Sequence, residues 1–461
     1  MIFRLGAAIS ILALSAAGFA CFHPLLGIGL LIQSLFVCRY PKAGLAVLFV
    51  TLPLDWARPL PGGVVVSFSE LHLAVCCAAL VLRAGGLPVR DWRPLIWWWP
   101  LLASVAISGF VNIEWFKIVP HTLRNAELAV VACLTLYAYR ESDAGPWLDW
   151  ALAATTALQF CLVFQHLLFQ ESLPRMSGSL SNPNQFGGLM GLVAVLSSTR
   201  LLACRCKETG ANPGRWALLR GATALGALLA ILLSGSRLAL GSCSLGILAG
   251  SGLARRGNKR VVLSRIGGTA LLLLVLLSLG GLLLTQASSL QAAAENWIDR
   301  MGAGMWRSME ARIQIFGVAA ELWMESPIVG IGPGRWDDEL GWWLASAREG
   351  EALVDSRAMS ESHAFLAHAH SLPLQLAALY GLLGLAAFGY AGIRWWKAFA
   401  RGDGTMSAAG LALLLTFGAN NLLDSLFPSL AMETGWILGI LLAGAASGQR
   451  DGKPLSSIVE R

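Results

Sequence analysis

Leucine, alanine, valine and glycine run through this chain in long apolar stretches, and the polar and charged residues gather between those stretches instead of alternating with them. A helix that spans lipid needs about 17 to 25 mostly apolar residues. Stretches of this kind lie near 5–22, 24–38, 43–57, 69–84, 94–110, 125–139, 146–170, 184–204, 216–234, 237–253, 264–286, 371–396, 405–423 and 428–447. Several are short or interrupted by Gly and Pro, so the expected count is about twelve to fourteen helices. Lipid offers no partner to an unpaired backbone group, so only helices or closed barrels cross it, and the lack of alternation excludes a barrel. The expected fold class is all-α: a polytopic integral membrane protein with one long loop containing amphipathic helices.

Composition agrees. Over 461 residues, 56% are hydrophobic and 13% charged, with a mean hydropathy of +0.63, which excludes a soluble globule. The expected organisation is 1–170, a first set of transmembrane helices; 171–286, further helices; 287–369, the long loop; 370–447, the C-terminal helices; and 448–461, a cytoplasmic tail. Basic residues cluster at Arg39 and Lys42, at Arg83, Arg90 and Arg93, at Arg205, Lys207 and Arg215, at Arg255, Arg256, Lys259 and Arg260, and at Arg394, Lys397 and Arg401. All fall on one side by parity, and the positive-inside rule makes that side the cytoplasm. Segments 51–68, 111–124, 171–183, 234–237, 287–369 and 421–428 then face outward. The net charge of +7 is accounted for by this topology, and nothing else points to a nucleic-acid partner. The first segment, with Arg4 near its start, is read as a helix and not as a cleaved signal.

The nine cysteines lie in or beside apolar segments, none in the long loop, so no disulfide framework is expected. No phosphate-cradling or dinucleotide fingerprint occurs, and the energy for any group transfer must come from the substrate. Glu127 and Glu433 are read as the main mid-span charges.

Four outward elements carry candidate chemistry. Asn182-Pro183-Asn184 precedes an apolar helix, where turn formation and capping would also explain it. Ser234-Gly235-Ser236-Arg237 is a tight turn between two apolar segments. An arginine at that depth needs an anion or carboxylate unless it snorkels to the interface. In the long loop, Ile315, Ala319, Leu322 and Trp323 recur at helical spacing, which predicts an amphipathic helix over the membrane surface, followed by a Gly-rich turn at 330–334. Finally, His368-Ala369-His370-Ser371-Leu372-Pro373 opens an apolar helix, with Pro373 suited to its first turn and Ser371 or His370 to its cap. A capping or interfacial histidine is the plainer reading. A metal pair with Asp337, Asp338 or Glu361 is another, though helix-borne metal histidines usually sit three or four residues apart.

His370-Ser371, nine residues, Gly381, two residues, Gly384 resembles the signature of the bacterial O-antigen ligase superfamily, which includes Wzy-type polymerases and protein O-oligosaccharyltransferases. The Asn-Pro-Asn segment, the Ser-x-Ser-Arg turn, a loop arginine and the Gly-rich turn resemble further parts of that family, in its order, across roughly 170–445. The resemblance implies a metal-independent, inverting glycosyltransferase without cofactor, in the bacterial inner membrane with its site facing the periplasm. Its donor would be an undecaprenyl-diphosphate-linked glycan. His370 would be the base, Arg237 and Arg312 would hold the donor diphosphate, and Asn182, Asn184, Ser236, Arg307, Arg335, His368 and Ser371 would give support. Ser371 stands where Asn is commoner, and Leu379-Tyr380 where an acid often precedes the glycine.

O-antigen ligation to lipid A-core is the first expectation for the acceptor; a growing glycan or a pilin-like protein is the alternative. A lipid-glycan transporter is a reading of another class, but internal repeats and several deep charges would be expected of one.

Overall fold

Helices form where the apolar stretches predict them. The computed structural model describes residues 2–21, 24–51, 57–59, 65–84, 93–113, 115–138, 145–169, 183–203, 213–253, 312–313, 315–333, 335–336, 369–400 and 405–423. The helices are α1 (Ile2–Cys21), α2 (Pro24–Arg39), α3 (Pro41–Thr51), α4 (Phe68–Ala84), α5 (Arg93–Val111), α6 (Trp115–Ala138), α7 (Gly145–Phe169), α8 (Pro183–Ala203), α9 (Pro213–Ser234) and α10 (Arg237–Leu253). They continue with α11 (315–325), α12 (Leu372–Ala400) and α13 (Thr405–Leu423). The segments expected at 264–286 and 428–447, and the tail 448–461, lie outside the described residues.

Two differences from the sequence reading stand out. Residues 111–124 are not a connection throughout, because α6 already begins at Trp115, and His121 lies on that helix. Within the segment 51–68, β1 (Ala57–Pro59) and β2 (Val65–Ser67) pair antiparallel, Ala57 opposite Ser67.

The all-α membrane architecture is borne out. Among the described residues, four helices are long and apolar enough to cross a membrane: Pro146–Gln165, Pro183–Leu202, Gly214–Ser234 and Leu372–Ala400. Shorter apolar helices accompany them. Large apolar side chains point outward on many of these helices, among them Leu12, Ile32, Leu35, Ile96, Phe164 and Leu218. In water such a surface would drive association; against lipid it is at home. The centre is α8, which is apolar on every face and is correspondingly enclosed. Phe186, Leu189, Met190 and Leu192 through Leu196 are all buried. It packs against α9, α10 and α13, while α12 packs against α5 and α13.

Polar links hold the helices where lipid supplies no hydrophobic drive between them. The chief one joins α7, α8 and α9. Asp149 accepts a hydrogen bond from Arg220 Nε at 2.9 Å and forms an ion pair with Arg200 Nη1 at 3.0 Å, all three side chains being almost wholly enclosed. These three charges lie toward the ends of their apolar runs; of the expected mid-span charges, Glu127 lies on α6 and Glu433 lies outside the described residues. A buried carboxylate between two guanidiniums is the kind of grouping that repays desolvation only through close, bidentate-type geometry.

Candidate active site

His370 sits just ahead of α12, with Ser371 in the capping position and Pro373 in the first turn, as the sequence predicts. The side chains of His370 and Ser371 are buried. His370 has φ +49°, a left-handed backbone conformation that costs a residue with a β-carbon roughly 1–2 kcal/mol. Local bonds hold it there. The Ala369 N–H donates to Gln375 Oε1, and the Gln375 N–H donates to the Ser371 carbonyl at 2.8 Å. The backbone on either side of the histidine is thus tied to its own helix.

Three turns further on, α12 breaks. Gly381 has φ 63° and ψ −159°, a combination that only glycine adopts without strain. A break of this kind orphans two carbonyls and two N–H groups, a loss of several kcal/mol if left unpaired away from water. All four are satisfied by the Gly-rich turn of the long loop. The Ile331 and Gly332 N–H groups donate to the Ala378 and Leu379 carbonyls at 2.8 and 3.1 Å. The Leu382 and Leu383 N–H groups donate to the Pro327 and Ile328 carbonyls at 2.9 and 3.2 Å. The loop segment 327–332 therefore completes the backbone ladder of α12. Approach is so close that a β-carbon on Gly330 would strike the Leu379 carbonyl and one on Gly381 the Ile328 carbonyl.

The turn leads back to α11. Its buried stripe is Ile315, Val318, Ala319 and Leu322, which joins the protein core; the expected amphipathic helix is present, with its apolar face against the bundle. Trp323 is only partly buried and donates from Nε1 to the Pro327 carbonyl at 3.1 Å. Arg312, ahead of α11, and Arg335, after the turn, are both half-buried. Through the joint at Gly381 they share one backbone-bonded unit with His370.

A second unit holds the Ser-x-Ser-Arg turn. Gly235 supplies the positive φ, Ser234 Oγ accepts from the Ser236 N–H at 3.1 Å, and Ser236 Oγ accepts from the Ala239 N–H at 3.4 Å as the cap of α10. Arg237 is then the first residue of α10, with its side chain exposed. The start of α8 packs directly on this turn: a β-carbon on Gly187 would lie 2.8 Å from Ser234 Oγ and from Ser236 Cβ. Asn184 is half-buried in the first turn of α8, which opens at Pro183. The structure thus brings the Asn-Pro-Asn helix and the Ser-x-Ser-Arg turn together, and α13, packed against α8, α10 and α12, links them to the histidine helix. Asn182, Arg307 and His368 lie outside the described residues.

Residues 222–389 match the family model described as O-antigen ligase. This part of the chain carries an O-antigen ligase-type domain. The matched stretch takes in the Ser-x-Ser-Arg turn, α11, the Gly-rich turn and the His-Ser motif, so an O-antigen ligase- or polymerase-type function is the class that fits. No curated protein matches the chain. Sequence reading missed the break at Gly381, because a single glycine in a Leu-rich run is compatible with a continuous helix. Gly330, Gly332 and Gly381 were visible as residues, but their positive φ is a property of the fold.

Proposed function

We propose that this protein transfers a glycan from an undecaprenyl-diphosphate carrier to an acceptor hydroxyl, and that O-antigen ligation to lipid A-core is its reaction. The observation that carries the reading is a buried histidine, held in a left-handed conformation at the head of α12, inside the segment matched to the O-antigen ligase family.

The chemistry follows from the groups present. A nitrogen of His370 takes the proton of the acceptor hydroxyl as its oxygen attacks the anomeric carbon, and the bond from that carbon to the diphosphate oxygen breaks. Polyprenyl diphosphate leaves, and attack from the opposite face inverts the anomeric centre. Charge grows on the leaving diphosphate. A guanidinium is suited to it because it stays protonated and offers two parallel donors, the role given to Arg237 and Arg312. Burial of His370 favours transfer over hydrolysis, since water competes with the acceptor for the same carbon. The periplasmic face of the inner membrane suits a donor of this kind.

Purified protein, donor and three acceptors offered separately, namely lipid A-core, more donor and a pilin-like protein, test the reading. Product on lipid A-core, reduced about 10² to 10⁴-fold in His370→Ala, is expected. Product only on another acceptor would reassign the reaction within the superfamily, and an unchanged rate in His370→Ala would remove the histidine from the mechanism.

A further inference from the structure

The joint between the Gly-rich turn and α12 is not closed by those two elements alone. A third element, α5, reaches it from the N-terminal helices, outside the stretch that matches the family. Ser108 is fully buried and its Oγ donates to the Leu379 carbonyl at 2.8 Å, the same carbonyl that accepts from Gly332. One turn on, Asn112 Nδ2 donates to the Gly330 carbonyl at 2.9 Å and to the Ser108 carbonyl at 2.8 Å. A β-carbon on Gly332 would stand 3.1 Å from Asn112 Cβ, so the amide lies flat against the turn. One side chain therefore binds the helix half of the joint and the other binds the loop half, while the Asn112 amide also holds the Ser108 backbone carbonyl.

We propose that Ser108 and Asn112 are positioning residues for the glycosyl transfer. They hold the loop that carries Arg312 and the helix that carries His370 in one register, so that phosphate-binding and proton-accepting groups meet the donor together. The proposal rests on the transfer reaction proposed above. It gives the N-terminal helices a part in that reaction beyond topology. Neither side chain touches the substrate in this scheme; each acts through backbone carbonyls. Small displacements matter to a site of this kind, because an error of about 1 Å in placement can cost 10²-fold in rate.

Asn112→Asp tests it most sharply, since the side chain keeps its shape and loses both donated hydrogens, leaving oxygens against carbonyl oxygens. Asn112→Ala and Ser108→Ala remove the two links separately. Two measurements are made on detergent-purified full-length protein: steady-state transfer, normalised to folded protein, and amide hydrogen exchange at Ile331, Gly332, Leu382 and Leu383. In the wild type these amides exchange slowly. In Asn112→Asp they exchange faster while α8 and α9 are unchanged, and kcat falls about tenfold to a hundredfold with donor KM within about twofold. A purely structural role would lower the folded fraction and leave kcat per folded molecule intact, which would overturn the proposal. Wild-type amides exchanging at the rate of free loop would overturn it as well. If wild-type protein transfers nothing, the reaction falls on its own, and the exchange measurement still decides whether α5 holds the joint.

Discussion

The two ends of the bundle are tied by opposite means. At the end away from His370, α7, α8 and α9 are clasped by side chains: one carboxylate, Asp149, between Arg200 and Arg220. At the His370 end, the long loop and α12 are joined by backbone groups, with glycines where the surfaces meet. The first clasp depends on what its residues carry and the second on what they lack. Charge holds helices in place but leaves their precise rotation to the packing of long flexible side chains. A backbone ladder with no room for a β-carbon fixes register, which is what the proposed site, with separate phosphate and proton-transfer groups, would require.

Substitutions that unfasten one end and spare the other would break or sharpen this contrast. Asp149→Ala is expected to have the largest effect on stability, about 3–5 kcal/mol, because two guanidiniums are left enclosed without their carboxylate. Thermal denaturation in detergent would show it, and transfer per folded molecule should be unchanged. Gly381→Ala comes next, at roughly 2–4 kcal/mol, from backbone strain plus the overlap with the Ile328 carbonyl. Here limited proteolysis of the long loop should accelerate and transfer should be lost while α7 to α9 stay protected. Equal loss of activity in both variants would show that the ends are not separable. Smallest is Trp323→Phe, which removes the indole N–H donated to the Pro327 carbonyl from an exposed position and should cost about 0.5–1 kcal/mol, read as a small shift in melting.

The helices were legible because apolar runs of membrane length leave little choice. The bounds of α10 and α13 fall where hydropathy places them, and Pro373 marks the first turn of α12. The buried stripe of α11 was legible too, apart from Val318, which replaces the less buried Trp323. What the sequence hid are contacts between distant positions. Asp149, Arg200 and Arg220 each sit near the end of an apolar run, where a charge reads as a solvated flank, and only the fold brings them to one point. Ser108 and Asn112 look like ordinary small polar residues at a helix end. At the candidate site, the identity of His370 was visible from its spacing to Gly381 and Gly384, whereas its left-handed backbone was not, since nothing in the residue type requires it.

That spacing has a geometric meaning. From His370 to Gly381 is eleven residues, close to three helical turns and about 16 Å of rise. One end of this interval is the imidazole proposed as the base, and the other is the depth at which the loop locks into the helix. The interval works as a ruler. Inserting or deleting a single residue between them would swing the histidine by about 100° around the helix axis and move it about 1.5 Å along that axis. The composition of the intervening stretch can vary so long as it stays helical; its length cannot.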